Sequence, residues 1–506
     1  MRAWTTALLF GFLLAASAAH AGSQDGALPP STAESVRAVE AARVANSQRA
    51  MSAIARDPAR GVLRTMDVGD APTAPLLAQL EKASPPQVQA PRTPAGEQLE
   101  WFLQTINARK GALSPQDAAQ HFSKPFLQQV PPAQLAATFK QLSDALAPLR
   151  LTSVTEKSPL KLLAQVATRQ GPARVSLAVS ADASHTFDGL LVQPGAVVAP
   201  PTSWDALEAS LAASGARTGL LAARLDSGKC VPVRAVRSSE ELAIGSTFKL
   251  YVLLAVAAKV DAGTLSLNTP ITVRDAWKSW PSGTLQSEPA GTQLPLRQVA
   301  QQMIAISDNT AADHLLHTVG REAVERALKR THHAHPSLDL PFLTTRELFT
   351  LKLGVPPEAQ ARYAQMDEKA RRVYLAQLDG QPLPPLSAAG KWKAPIAIDT
   401  LEWFASPEDL CHAMQALREE GKSQPGSPVL AVLAKNPGVT VDRSVWSYVG
   451  YKGGSEPGVM NLTFLLQRKA DGAWFVLSLG ANDPKHDIDQ GKFVSLAEGA
   501  LHLLSH

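Results

Sequence analysis

The chain has little excess charge and no long apolar run beyond its N-terminus. Its 506 residues include 49 Lys and Arg against 45 Asp and Glu, a net charge of +4 at pH 7. So small an excess argues against a nucleic-acid partner. The best internal apolar run, Leu250–Ala258, has the length of a buried helix and is too short for a membrane span. With 32 Gly and 38 Pro, the composition is neither collagen-like nor fully disordered.

Cysteine is nearly absent, with Cys230 and Cys411 the only two in the sequence. No cysteine lies near the N-terminus to carry a lipid. In an oxidising compartment the two thiols can pair, but the sequence does not show that their Cα atoms come within bridging reach. A disulfide and a pair of buried free thiols therefore stand as equal alternatives.

The N-terminus predicts an exported protein. Arg2 supplies the positive start, Ala7–Ala18 is almost entirely apolar, and Ala19–Ala21 is a small-residue cleavage site before Gly22. The apolar core is shorter than the ~20 residues that a bilayer span requires. We expect residues 1–21 to be a cleaved signal peptide, the protein to be periplasmic or secreted, and no stable membrane span to remain.

Composition and periodicity divide the rest of the chain, whose length favours more than one domain. Residues 22–95 predict an amphipathic helix followed by a Pro/Ala-rich linker. Residues 96–200 change from helical to strand period, which predicts a small α+β domain. Residues 203–506 open and close with strand patterns around a long helical region, so the fold class is α+β with a cleft between sheet and helices. The predicted strands of the small domain are 149–154, 160–167, 173–179 and 186–192.

A serine and a lysine stand three residues apart where a polar segment gives way to an apolar helix. Ser246 and Lys249 therefore share one helical face, within reach of each other. The positive end of a helix dipole favours a developing oxyanion. Lys249 acts as a base only when neutral, and a nearby cation such as Lys452 is one way to lower its pKa. An SxxK pattern alone also arises by chance in a chain of this length.

Two further motifs carry complementary chemistry. Ser307-Asp308-Asn309 breaks two helical stretches, and its hydroxyl and carboxamide suit proton relay and amide binding, although a simple helix cap is the plainer alternative. Lys452-Gly453-Gly454-Ser455 ends a predicted edge strand, where small residues admit a substrate backbone and the Ser455 N–H can donate to an oxyanion. Taken singly, this second motif is equally a turn.

In this order the three motifs resemble the SxxK, SDN and KTG set of class A β-lactamases and penicillin-binding proteins. The resemblance covers about residues 203–506. Outside the three motifs it includes Pro281–Gln286, Gly291-Thr292, Leu296 and Met303–Leu316. It implies a β-lactamase/transpeptidase-like domain, an antiparallel sheet flanked by helices with a helical subdomain. By position it implies that Ser246 is the acylated nucleophile and Lys249 its base or relay.

The same resemblance implies roles for the remaining motif residues. Ser307 is the expected proton donor to the leaving nitrogen. Substrate binding is expected from four residues: Asn309, Lys452, Gly454 and Ser455. No cofactor and no metal are expected, and the partner is a small-molecule β-lactam, ester or acyl-peptide substrate.

The chain departs from the class A pattern at the step that frees the acyl-enzyme. Class A enzymes carry a glutamate in an ExxLN loop, and the corresponding stretch here is shortened and lacks it. Asp339 and Glu347 are poor substitutes, since Glu347 sits in a predicted first helical turn, where an acid simply favours the dipole. Gly453 replaces the threonine whose hydroxyl helps to hold a carboxylate. Acylation with slow hydrolysis follows as the expectation.

The shortened loop, an insert from about Gly354 to Pro395 and the preceding α+β domain resemble a two-domain subgroup related to a clavulanate-cluster protein. In that subgroup the front domain resembles steroid-isomerase or cystatin-like folds. Residues 96–200 gather no nucleophile, base and oxyanion donors, so we expect them to form a scaffold or a wall of the substrate cleft. His332, His333 and His335 are interpreted as part of a solvated loop and not as metal ligands.

Several functions share these motifs. An esterase or a D-Ala-D-Ala carboxypeptidase would use the same Ser246, and only substrate assays separate them from a β-lactamase. A penicillin-recognising sensor that acylates once and stays blocked is a different class, which the missing glutamate and the extra domain favour.

Overall fold

The computed structural model describes residues 12–15, 88–195, 198–280, 282–385, 388, 392–422, 428–439 and 441–506. The predicted signal peptide, apart from Phe12–Ala15, the predicted helix and most of the linker lie outside the described residues, as does Pro281. Among the helices within these ranges, none is both long and apolar enough to cross a membrane.

The first described region is a small α+β unit in which helices precede strands. Ser114 caps one helix through a reciprocal bond with Asp117, and Pro115 fills its first turn. The strands pair antiparallel in the order β1-β5-β4-β3-β2. The elements are β1 (Phe12–Ala15), α1 (Pro94–Asn107), α2 (Pro115–His121), α3 (Lys124–Gln129), α4 (Pro132–Leu146), β2 (Arg150–Ser158), β3 (Lys161–Thr168), β4 (Gly171–Val179) and β5 (Phe187–Pro194).

The four strands predicted for this region are observed, each within a few residues of the expected bounds. Alternation of apolar side chains turns one face of the sheet toward α1 and α4, where Phe102, Phe122 and Phe139 are buried. The segment Phe12–Ala15 pairs with β5, with Phe12 opposite Val192. Cleavage of a signal peptide stays a prediction.

The second region is built on a five-stranded antiparallel sheet in the order β12-β13-β14-β6-β7. Strands from both ends of the region share this sheet, as the sequence predicts. β12, which carries Lys452, is an edge strand. The strands are β6 (Arg217–Asp226), β7 (Lys229–Val236), β8 (Leu242–Ala243), β9 (Pro270–Thr272), β10 (Gln293–Pro295), β11 (Phe404–Ala405), β12 (Trp446–Glu456), β13 (Val459–Arg468) and β14 (Trp474–Asn482).

Helices cover both faces of this sheet because successive strand residues point to opposite sides. Leu221 belongs to the core beneath the helical subdomain, and its neighbour Leu220 to the core beneath α5 and α15. The helices are α5 (Trp204–Ala212), α6 (Lys249–Asp261), α7 (Leu296–Ala305), α8 (Asn309–Val319), α9 (Arg321–Arg330), α10 (Thr345–Phe349), α11 (Pro357–Gln365), α12 (Glu368–Leu378), α13 (Pro407–Lys422), α14 (Pro428–Leu433) and α15 (Gln490–Leu503).

A buried ion pair links the small unit to the second region. Arg174 on β4 donates to Glu498 on α15 at 2.7 Å, and the arginine side chain is only 2% exposed. Breaking one partner of such a pair is costly because the other charge stays buried. The contact therefore joins the small sheet to the helix that closes the chain.

The two cysteines form a disulfide. Cys230 on β7 and Cys411 on α13 have Cα atoms 6.4 Å apart and are separated by 181 residues in sequence. The bond ties the edge of the sheet opposite the Lys452 strand to the helical subdomain. Of the two alternatives left open by the sequence, the structure has the pair.

Removing this bridge with the double variant Cys230→Ala/Cys411→Ala should lower the free energy of unfolding by about 4–5 kcal/mol, because so long a loop restricts the unfolded chain strongly. Denaturant unfolding of the variant, and of the parent with and without dithiothreitol, measures the difference. The variant should be insensitive to the reductant. Equal unfolding midpoints for the parent and the variant would contradict the expectation.

Candidate active site

The serine of the SxxK motif lies in a single tight turn that leads into α6. Gly245–Phe248 form this turn, and Gly245 has a φ of +48° that favours glycine. Thr247 Oγ1 donates to Asn461 Oδ1 on β13 at 3.0 Å, which ties the turn to the sheet. Ser246 Oγ lies 3.0 Å from Lys249 Nζ, so the predicted nucleophile and the predicted base are in contact.

Lys249 is fully buried at the start of α6 and has four polar contacts. Besides Ser246, its Nζ donates to Asn309 Oδ1 at 2.6 Å and to the carbonyl of Ser307 at 2.7 Å, and it lies 3.1 Å from Ser307 Oγ. Burial lowers the pKa of Lys249 to about 7, against the opposing attraction of Asp308 and Asp313. Near neutral pH, part of the population therefore holds a neutral amine beside the serine.

Lys452 reaches the same hydroxyl from the edge strand β12. Its Nζ donates to Ser307 Oγ at 3.0 Å and to the carbonyl of Gly453. Burial, and secondarily the charge of Lys249, hold the pKa of Lys452 well below its usual range. The sequence predicted that crowding by Lys452 would lower the pKa of Lys249. Burial is instead the principal cause for both lysines.

Ser307 is held in a left-handed conformation with a φ of +56°, which is unusual for a residue with a side chain. The buried carboxylate of Asp308 anchors this turn. It caps α8 through Ala311 N at 2.8 Å and also accepts from the amides of Thr284 and Leu285. A Cβ on Gly283 would lie 2.2 Å from Asp308 Oδ2, so glycine is required there. The turn thus caps α8 and also positions the side chain of Ser307.

The side chain of Asn309 is buried and hydrogen-bonded to other residues of the protein. Its Oδ1 accepts from Lys249, its Nδ2 donates to the carbonyl of Trp280 at 3.0 Å, and the residue is 4% exposed. Asn309 is not among the described residues that line the cleft. Its direct partner is therefore Lys249, and its expected contact with substrate stays a prediction.

Gly454 lets the edge strand approach the nucleophile turn. A Cβ on Gly454 would lie 2.0 Å from the carbonyl of Ile244 and 2.5 Å from Ser246 N. A Cβ on Gly245 would in turn lie 3.0 Å from Ser455 N. The amides of Ser246 and Ser455 thus lie on the two sides of this close approach, an arrangement suited to two oxyanion donors.

The cleft around these groups has an open volume of about 780 Å³. Ser246, Ser307 and the segment from Tyr451 to Ser455 line it on the catalytic side. Gln193 of β5 lines it as well, and its buried Oε1 has no hydrogen-bond partner among the described residues. The small unit therefore contributes to the cleft wall. Sequence patterns did not single out Gln193 or Tyr451, since each lies in an ordinary strand pattern.

The two acids considered as substitutes for the missing glutamate are engaged elsewhere. Glu347 caps α10 with Thr344 in a reciprocal box and pairs with Arg321 at 2.7 Å. Asp339 is buried and accepts from Phe404 N at 2.8 Å. Neither acid is among the described residues that line the cleft. The interpretation of Glu347 as an acid in the first turn of a helix is confirmed, and the structure adds its capping contact with Thr344.

The assignment of His333 to a solvated loop was wrong. Its side chain is fully buried, and Glu241, His333 and Asp409 bring ligand-type atoms within 4.8 Å of one another. Both ring nitrogens already have protein partners, the carbonyl of Phe404 at 2.9 Å and the amide of His335 at 3.2 Å. His332 and His335 are exposed, as predicted. Only His333 turns inward, where it bridges two backbone segments, a contact that no local pattern indicates.

Comparisons with known protein families match two parts of the chain. Residues 202–436 match the family described as the β-lactamase enzyme family. Residues 90–185 match the family described as the N-terminal part of the ORF 12 gene product. No curated protein matches the chain.

Among solved structures, a β-lactamase from Sphaerobacter thermophilus is 24% identical, with 60% of this chain and 97% of that chain covered and a TM-score of 0.40. A β-lactamase from Xanthomonas campestris pv. campestris is 19% identical, with 60% and 97% covered and a TM-score of 0.41. The structure of PBP-A is 17% identical, with 61% and 99% covered and a TM-score of 0.39. On the family match, the part of the chain that contains residues 202–436 is β-lactamase-like, and its motif residues gather around Ser246.

Proposed function

We propose that this protein is an exported serine hydrolase that forms an acyl-enzyme on Ser246 with β-lactam or ester substrates and hydrolyses it slowly. The contact that carries the proposal is the 3.0 Å approach of Ser246 Oγ to Lys249 Nζ. A serine hydroxyl is a weak nucleophile until a base takes its proton. The lowered pKa of Lys249, about 7, makes its neutral amine available for that task.

The attack on a carbonyl follows from the groups around this pair. Neutral Lys249 takes the proton of Ser246 as Oγ bonds to the carbonyl carbon, and the amides of Ser246 and Ser455 donate to the oxyanion. Ser307 Oγ, between the two lysines, relays a proton to the leaving nitrogen or oxygen. A substrate carboxylate beside Lys452 would favour its charged form.

Hydrolysis of the acyl-enzyme is the slow step of the proposed reaction. Water attack on the ester needs a base, and both candidate acids of the shortened loop are bound to other groups. Loss of a general base costs roughly 10²- to 10⁴-fold in rate. We therefore favour slow turnover, and a sensor that stays acylated is the limit of this behaviour.

Incubation with a chromogenic cephalosporin should give a burst of product equal to the enzyme concentration, followed by slow turnover. Intact mass should show an adduct within minutes. The Ser246→Ala variant should lose both signals because no nucleophile remains. The Ser210→Ala variant, which changes a half-buried serine on α5 whose hydroxyl donates to the carbonyl of Ala206, should behave as the parent does.

Three other results of this assay would change the proposal. Fast sustained turnover would show that another group activates water as well as the class A glutamate does. An adduct that persists in Ser246→Ala would place the chemistry elsewhere. Turnover of esters without any β-lactam adduct would favour the esterase alternative over the β-lactam one.

The acylation rate should rise with pH through about 7, because only the neutral form of Lys249 accepts the serine proton. Below that pH the rate should fall roughly tenfold per unit. A neutral ester substrate isolates this step from carboxylate binding at Lys452. Unfolding should be followed over the same range, since burial also raises the pKa of Asp313 to about 7. A flat profile between pH 6 and 8 in folded protein would exclude Lys249 as the base.

A further inference from the structure

Strand β12 carries Gly453 at the position where the KTG motif has a threonine. In that motif the hydroxyl helps the lysine hold a carboxylate, and glycine offers none. A Cβ on Gly453 would lie 2.1 Å from Oη of Tyr451 and 2.8 Å from its Cζ. The phenol of Tyr451 therefore occupies the place where a side chain at position 453 would begin.

Neighbouring residues hold the ring of Tyr451 in a defined position. A Cβ on Gly438, in the loop before β12, would lie 2.3 Å from Cε1 and 2.4 Å from Cζ of Tyr451, so this second glycine also leaves room for the ring. On the neighbouring strand, the ring of Phe464 packs at 4.9 Å between centroids. Two glycines and one aromatic ring, from three segments, thus fix where the hydroxyl lies.

The hydroxyl of Tyr451 is free to bind a ligand. Among the residues that the structure describes, no protein group is hydrogen-bonded to it, whereas Tyr448 on the same strand donates to the carbonyl of Leu430 at 2.8 Å. Tyr451 lines the cleft beside Lys452, whose Nζ contacts the carbonyl of Gly453. Burial raises the pKa of the phenol, so the group keeps its proton and acts as a donor.

We propose that the Tyr451 hydroxyl replaces the missing threonine hydroxyl and, together with Lys452, binds the carboxylate of an anionic acyl substrate. The proposal rests on the proposed function and deepens it. Lys452 would select substrates that carry a carboxylate next to the reacting carbonyl through its charge. Tyr451 would select them through the direction of the hydrogen bond that its hydroxyl donates. Tyr451 is thus a substrate-binding residue and takes no part in bond making.

The test compares a chromogenic cephalosporin with its methyl ester, in which the carboxylate charge is removed, in the parent and in Tyr451→Phe. Loss of a hydrogen bond to a charged group should raise the KM for acylation by the carboxylate form roughly 10- to 100-fold. The KM for the methyl ester and the maximal acylation rate should change less than about threefold. Tyr448→Phe is the matched control, since its hydroxyl is bound to the backbone, and it should leave the ratio of the two KM values unchanged.

A double variant provides the rescue. Tyr451→Val/Gly453→Thr removes the ring from the place that a threonine side chain requires and restores the hydroxyl on the strand. The double variant should recover the preference for the carboxylate form, whereas Tyr451→Val alone should lack it. Thermal unfolding of each variant shows whether the site is intact. An equal loss on both substrates, no loss in Tyr451→Phe, or no rescue in a folded double variant would overturn the proposal.

Failure of the proposed function has a separate signature. If the parent is acylated by neither compound, binding of the intact cephalosporin to Ser246→Ala is measured by calorimetry with and without Tyr451→Phe. A weaker Kd for the carboxylate form alone, by roughly tenfold or more, would support the carboxylate site without acyl-enzyme chemistry. Equal binding with and without the hydroxyl, or no binding at all, would overturn the assignment of Tyr451.

Discussion

The burial of Lys249 is the constraint on which the rest of the site depends. An ammonium group removed from water is stable only with several acceptors, and here the Ser246 and Ser307 side chains, the Ser307 carbonyl and Asn309 surround it. The same burial lowers its pKa to about 7, so the group that is hardest to bury is also one with a neutral form near neutral pH. Each acceptor must then be held in place by other parts of the fold.

Glycines, and residues with no role in the proposed chemistry, hold many of these acceptors in place. Gly283 leaves room for the carboxylate of Asp308, which fixes the left-handed turn at Ser307. Gly454 lets the edge strand approach the turn that contains Ser246. A Cβ at Gly283 would meet the Asp308 side chain, and one at Gly454 would meet the backbone of that turn. Close packing leaves little room for adjustment at either position. The site is therefore a product of backbone approach as much as of functional groups.

The same logic describes how this domain differs from the class A pattern. The loop that would carry a hydrolytic glutamate is short, and its acids are used to cap a helix and to hold the backbone. The phenol of Tyr451, two residues earlier on the strand, fills the space beside Gly453. The small unit adds Gln193 to the wall of the cleft. The groups proposed for acylation are not those of the shortened loop, so the proposed acylation can persist while hydrolysis of the acyl-enzyme weakens.

The sequence determined the α+β fold, the longer strands of both five-stranded sheets and the three motifs, because period, turn residues and spacing are local properties that survive without the fold. The short strands β1, β8, β9, β10 and β11 were not predicted. It also indicated that the class A glutamate was missing. Only the tertiary structure decided that the two cysteines pair, that His333 is buried, that burial sets the pKa of Lys249, and that the hydroxyl of Tyr451 lies where a side chain at Gly453 would begin. Each of these depends on residues distant in sequence or on the space between side chains, and neither is encoded in a local pattern.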